Sequence, residues 1–270
     1  MSQSIEPLTS AERKRFSLCP VHCPRLRERV EDLADFMAVI SNTIRTQEPF
    51  WFRGHADARC SLVPSALRFD RQSDREKALG LMADFRRIAE SKLPRPPDGN
   101  ADLKWAQIAQ HFGLPTRLLD WTESATTALY FACSGANTDG VVFVLNPIDL
   151  NRLSYPRKPR VLDPQRDAEE VGRYLRMGPK RSRNGRYPLA VNPMWNSDRL
   201  ILQKGVFPVH GGRFDLDGKG IPSLVAIPIL REHKKRLHSQ LERIGVDEMT
   251  LFPELEHSCA HLKRKAGLGV

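Results

Sequence analysis

The chain has 270 residues with 42 Lys+Arg against 32 Asp+Glu, a net charge of +10, 40% hydrophobic and 27% charged residues. That balance belongs to a globular protein and excludes wholesale disorder, and the length allows one large or two small domains around a real core. No run approaches 18 apolar residues, the first 15 residues hold no apolar stretch, and five cysteines are an odd number. The reading is a cytoplasmic protein with no spanning helix, no secretory signal and no disulfide scaffold.

In chain order, Leu33, Met37, Ile40 and Ile44 fall at helical spacing and predict a helix near 28–46. Phe50–Arg53 opens a strand after Pro49. Leu81, Phe85 and Ile88 mark a helix near 75–92, which Pro94, Pro96, Pro97 and Gly99 break. A third helix is expected near 102–112. A fourth, near 124–134, has Ser124 as its N-cap. Val141–Leu145 reads as a buried strand, Leu200–Leu202 and Leu224–Ile229 as two further strands, 231–244 as a last helix and Lys263–Lys265 as a solvated end. Helices and strands mix without regular βαβ spacing, so the fold class is α+β. It reads as a single mixed domain, a small central sheet flanked by helices, spanning 28–262. Residues 1–27 form an N-terminal extension and 263–270 a C-terminal tail.

Residues 151–190 carry a net +7, most of the excess of the chain, amid five prolines and three glycines. This reads as a basic, loop-rich insertion with a short helix around Ala168–Arg176. Arg157, Lys158, Arg160, Lys180, Arg181, Arg183 and Arg186 are its candidate nucleic-acid contacts, since clustered cations attract polyanions. The alternative is a solvated loop. Membrane binding is disfavoured, because no apolar face accompanies the charges.

Three polar segments stand out. In Phe50-Trp51-Phe52-Arg53-Gly54-His55, Gly54 permits close approach of backbone or ligand, and Arg53 serves either a ligand or a structural ion pair. In Gln107–Thr122, Gly113 and Pro115 stop a helix. Gln110, His111, Thr116, Arg117, Asp120 and Thr122 cluster around that stop. Arg117 and Asp120 are three apart, a spacing that allows a pair. His111 is a candidate acid or base, its ordinary pKa being ~6.5. The alternative is a polar corner locking two helices together. Asn196–Phe207 reads as strand, turn, strand, with Arg199, Ile201 and Gln203 on one side. The alternative there is a sheet face exposed to water. Cys19, His22 and Cys23, with His257, Cys259 and His261, fit zinc half-sites only loosely, and no metal is expected. P-loop, G-x-G-x-x-G, G-x-S-x-G and H-E-x-x-H motifs are all missing from the sequence.

Trp51-Phe52-Arg53-Gly54, Gln110-His111-Phe112-Gly113-Leu114-Pro115-Thr116-Arg117-Leu118-Leu119-Asp120-Trp121-Thr122 and Ala128-Leu129-Tyr130-Phe131-Ala132 together resemble the FRG domain family. Arg199 with Gln203, Gly205 and Phe207 is similar to a later element of that family, and Leu251-Phe252-Pro253-Glu254-Leu255-Glu256 to its closing segment. The resemblance covers roughly residues 45–260. A more distant analogy links Arg53-Gly54, Thr122 or Ser124, and Leu200–Phe207 with NAD-dependent ADP-ribosyltransferases.

That analogy implies NAD as substrate, with an arginine fork on the pyrophosphate, a hydroxyl on the ribose and a carboxylate opposite the cationic transition state. Arg53, His111, Asp120 and Thr122 are then the catalytic candidates. Gly54, Gln110, Thr116, Arg117, Trp121, Arg199 and Gln203 are the substrate-binding candidates. Arg199 stands where the analogy expects a catalytic glutamate, leaving Asp120, Asp198 or Glu254 to substitute. Two functions are weighed. One is an ADP-ribosyltransferase-like enzyme acting on nucleic acid or protein in bacterial conflict or phage defence, with an inhibitor or antitoxin partner left open. The other is a nucleic-acid or nucleotide-binding module, of which a nuclease using His111 and Asp120 is the enzymatic variant.

Overall fold

In the computed structural model the described residues are 5–21, 28–135, 137–176, 187–195, 197–212, 216 and 221–268. In chain order they form α1 (Ser10–Arg15), α2 (Leu33–Thr43), β1 (Trp51–His55), a 3-10 turn (Ser65–Leu67), α3 (Gln72–Glu90), α4 (Asp102–His111), β2 (Trp121–Thr122), α5 (Ala125–Cys133) and β3 (Gly140–Leu145). Then follow α6 (Pro147–Ser154), α7 (Ala168–Arg176), β4 (Leu189–Val191), α8 (Asp198–Leu202), β5 (Gly205–Val209), β6 (Val225–Ile229), α9 (Arg231–Arg243), α10 (Glu248–Leu251) and α11 (Leu255–Lys265). The six strands make one sheet in the order β4-β5-β2-β1-β3-β6, every named pair antiparallel. The architecture is the expected α+β domain.

β1 and β3 lie at the centre of this sheet. β3 is buried along its whole length, as its unbroken run Val141-Val142-Phe143-Val144-Leu145 requires. Helix α5 lies directly on β1. A Cβ built on Gly54 would stand 1.8 Å from the Ala128 carbonyl oxygen and 2.7 Å from the Ala132 nitrogen. Glycine at 54 and alanine at 128 and 132 therefore set the distance between strand and helix. Ser124 caps α5 by accepting the Thr127 amide at 3.2 Å.

β1 pairs with β3 over five residues but with β2 only at Phe52–Thr122. Beyond that point the sheet parts. The guanidinium of Arg53 spans the gap and donates through Nη1 to the Asp120 carbonyl oxygen.

The expected strand at Leu200–Leu202 is instead the helix α8. Ser197 caps it by accepting the Leu200 amide at 3.3 Å, and Lys204, at φ +46°, turns the chain out into β5. Alternation over so few residues fits strand and helix alike, and the cap decides. Arg199 and Gln203 share a side because they are four apart on a helical turn, not because of strand alternation.

The 151–190 segment does more than loop over the surface. Leu162, Val171, Tyr174, Leu189 and Val191 form a second core cluster with Leu103, Leu118 and Val209. Asn151 is fully buried and satisfies both the amide and the carbonyl of Ala190, at 2.8 and 2.9 Å. Much of the charge is paired: Arg160 with Asp167, Arg173 with Glu170 and Arg176 with Asp102. Arg157 and Lys158 are exposed. The candidates Lys180, Arg181, Arg183 and Arg186, like His22 and Cys23, lie outside the described residues. The helix at 168–176 falls where expected. Helices α1, α6, α10 and α11 and strands β2 and β4 were not anticipated. Lys263–Lys265 is the exposed last turn of α11, where lysine and arginine favour the helix dipole.

Candidate functional site

Where β1 and β2 part, residues from β1, α4, β2, α5, α8 and β5 enclose a cavity of about 310 Å³. Small-molecule sites begin at about this size. The three polar segments, far apart in sequence, meet here. Arg53, Gly54, Gln110, His111, Asp120, Trp121, Thr122, Arg199 and Gln203 all line it.

Arg53 reaches the cavity by strand alternation. Gly54 turns to α5, so Arg53 and His55 project together on the other side, and Arg53 Nε donates to His55 Nε2 at 2.7 Å. That bond requires a neutral imidazole with its hydrogen on Nδ1. Burial enforces it: burial, then the Arg53 charge, push the His55 pKa down to about 3. Arg53 is itself lowered to about 10 by burial, which the charge of Asp120 partly opposes, and it stays cationic at neutral pH.

Helix α4 presents Gln107, Gln110 and His111, at i, i+3 and i+4, along one face to the cavity. It ends in a Schellman motif. Gly113 is at φ +83°, with the Leu114 amide on the Ala109 carbonyl and the Gly113 amide on the Gln110 carbonyl. The chain then runs on beside β5, with a Leu118–Val209 bridge and the Leu119 amide on the Pro208 carbonyl.

Alternation along this extended stretch separates Arg117 from Asp120, and the pair their spacing allowed does not form. Arg117 turns inward, is 4% exposed, and donates to the carbonyl oxygens of Gly211 at 2.7 Å and His210 at 3.3 Å. Asp120 takes Gln110 Nε2 instead, while the Thr116 hydroxyl donates to Gln110 Oε1. Thr116 and Arg117 are not among the cavity-lining residues. Thr116 holds Gln110, and Gln110 orients the carboxylate.

Thr122 lines the cavity with its hydroxyl committed. It donates to the Gln203 carbonyl at 2.6 Å and accepts from the Ser124 amide at 2.9 Å. This ties β2 to the end of α8. Gln203 Nε2 donates to the Leu251 carbonyl at 3.0 Å. The Arg199 guanidinium lies over the Phe252 ring at 4.7 Å, with Glu254 at 3.8 Å. The Leu251–Glu256 segment thus returns to brace α8 at the mouth of the cavity. Of the three candidate acids, Asp120 lines the cavity, Glu254 stands behind Arg199, and Asp198 is exposed at the start of α8. His257 stacks on Phe252 and pairs with Glu248.

The sequence reading missed Gln107, Thr127, Phe131 and Ser197 as lining residues. Gln107 was within reach, being one helical turn before Gln110 and His111. His111 and Ser197 also line an adjoining groove of about 1350 Å³. Its walls carry Arg95, Lys104 and Lys204 and the exposed Phe112 and Trp195.

Fold and site together define an α+β protein with a cation- and amide-lined hollow at a parting of its sheet. The family model described as FRG domain matches residues 48–140, and over that stretch the chain is similar to the FRG domain family. The match takes in Arg53, Gln110, His111 and Asp120, and ends before Arg199 and Gln203. No curated protein and no solved structure matches the chain. No helix among the described residues is long and apolar enough to cross a membrane.

Proposed function

We propose that the protein is an ADP-ribosyltransferase-like enzyme that uses NAD to modify a nucleic acid or protein, in bacterial conflict or phage defence. The observation that carries this reading is the gathering of Arg53, Asp120, His111 and Arg199 around one cavity. Arg53 and Arg199 supply forked donors for the phosphates. Asp120, held by Gln110, faces the glycosyl carbon as positive charge grows on it. The bond from ribose C1′ to the nicotinamide nitrogen breaks, and nicotinamide leaves with the bonding pair. The acceptor forms a new bond to C1′ and gives its proton to His111. The acceptor enters along the groove that shares His111 and Ser197 with the cavity.

The test is incubation with NAD labelled in the adenylate half, with single-stranded and duplex nucleic acids and with protein extract, following nicotinamide release and label transfer. Asp120→Asn is expected to abolish turnover with little change in melting temperature, and Arg53→Ala to abolish it with a lower melting temperature, because His55 Nε2 and the Asp120 carbonyl lose their donor. A folded wild-type protein that neither binds nor consumes NAD removes the reading.

One observation favours a second reading, a nucleotide- or nucleic-acid-binding module or a nuclease using His111 and Asp120. Phe112 and Trp195 are exposed beside Arg95, Lys104 and Lys204, and single strands bind by stacking on aromatics near cations. Affinity that falls steeply with salt, with nucleotide release but no use of NAD, distinguishes it.

A further inference from the structure

The amides that line the cavity are not alike. Gln110 spends both ends of its side chain, its oxygen on Thr116 and its nitrogen on Asp120. Gln203 gives its nitrogen to the Leu251 carbonyl. Gln107 spends only one end. Its Oε1 accepts the Met194 amide at 3.2 Å, while Nε2, on a side chain 5% exposed, has no partner among the described residues. Turning the amide over would not help, because Oε1 would then leave Met194 and the Met194 amide would face a donor. Buried amide nitrogens are rarely left unpaired, since the bond to water lost on burial is not replaced. Trp121, 3% exposed, lines the same cavity and also leaves its indole Nε1 without a partner.

We infer that Gln107 Nε2 is a recognition donor for an uncharged acceptor, the carboxamide or base carbonyl of a nucleotide whose phosphate lies toward Arg53 and Arg199. The donors that line the site are of two kinds. The unpaired donors on Gln107 and Trp121 are neutral, and the guanidiniums are cationic. Neutral donors suit a carbonyl oxygen, whereas forked cations suit a phosphate. A ligand with an uncharged planar head on a phosphorylated sugar offers an acceptor to each kind. The inference deepens the NAD reading by naming the residue that tells the base-bearing ligand from the bare sugar phosphate. It stands on binding rather than on turnover.

The experiment measures affinity calorimetrically for nicotinamide mononucleotide, uridine monophosphate and ribose 5-phosphate, the last lacking any base. The wild-type protein is compared with Gln107→Glu, which keeps an oxygen for Met194 and removes the donor. Gln107→Met, which fills the space without a buried charge, guards against a misfolded glutamate variant. Expected is a loss of about tenfold or more for at least one of the two base-bearing ligands in both variants, with ribose 5-phosphate unchanged. Nucleotide affinity unchanged in folded variants, an equal loss for ribose 5-phosphate, or no nucleotide binding to the wild type each overturns the inference, leaving Gln107 to a trapped water. Nicotinamide release is followed in parallel. Binding that depends on Gln107 without NAD turnover refutes the transferase and leaves the recognition role standing.

Discussion

Among the described glycines, Gly54 leaves the least room for a methyl group. The added methyl carbon would stand 1.8 Å from the Ala128 carbonyl oxygen and 2.7 Å from the Ala132 nitrogen. Both are backbone atoms of α5, so no side chain can rotate away. Relieving the first contact to even 3.0 Å requires strand and helix to separate by about 1.2 Å, in an interior packed too densely to absorb it. β1 is also bonded to β3 over five residues, so the strain spreads into the centre of the sheet. Overpacking of this sort costs about 3 kcal/mol, the upper end of its usual range. At about 2–4 °C per kcal/mol for a domain of roughly this size, the melting temperature should fall by about 6–12 °C.

The assay is thermal and urea unfolding of Gly54→Ala beside Gly80→Ala. Gly80 is exposed in the middle of α3, and a methyl added there meets nothing within 4 Å. Gly80→Ala should therefore stabilise the protein by about 0.8–1 kcal/mol through helix propensity alone. A Gly54→Ala protein melting within 2 °C of wild type would refute the close contact between β1 and α5, and with it the reason for glycine beside Arg53.

Three further outcomes are expected. His55 is neutral in the fold with its pKa lowered to about 3, against 6.5 when free, so the unfolded chain binds the extra proton between those values. Its contribution to stability is present above about pH 6.5 and is lost as pH falls toward 3; His55→Gln should flatten that part of the curve, as pH-dependent urea unfolding would show. Asn151→Ala strands the amide of Ala190 in the core, while its carbonyl keeps the Leu162 amide, and should cost about 1–3 kcal/mol, with faster exchange of the Ala190 amide; unchanged exchange would contradict the anchoring of β4. Lys204→Gly removes the penalty of φ +46° and should gain about 0.5–1 kcal/mol net of the added freedom of the unfolded chain, read from the urea midpoint.

Local patterns made several elements legible from the residues alone. Apolar spacing marked α2 and α3; Ser124 marked the start of α5 and Gly113 the end of α4. The valine run of β3 marked a buried strand, and the polar segments around Arg53, Asp120 and Arg199 marked nine of the residues that line the cavity. These signals are carried by side-chain period and by caps, which depend on neighbours within about one helical turn or two strand residues. The two-residue β2 and three-residue β4 carry too few alternations to be seen, and they exist because β1 and β5 offer them partners. α8 was misread because Arg199-x-Ile201-x-Gln203 fits either period until Ser197 caps it.

The partners of the polar side chains were decided by tertiary structure alone. Arg117 and Asp120 are three residues apart, yet extended backbone sends them to opposite sides, one to the carbonyls of His210 and Gly211 and the other to Gln110. Arg199 is braced by Phe252 and Glu254, more than fifty residues further along the chain. Sequence fixes what a side chain can donate or accept, but which group it meets depends on how strands separated by long loops come to lie together, and that is set by the packing of the whole core.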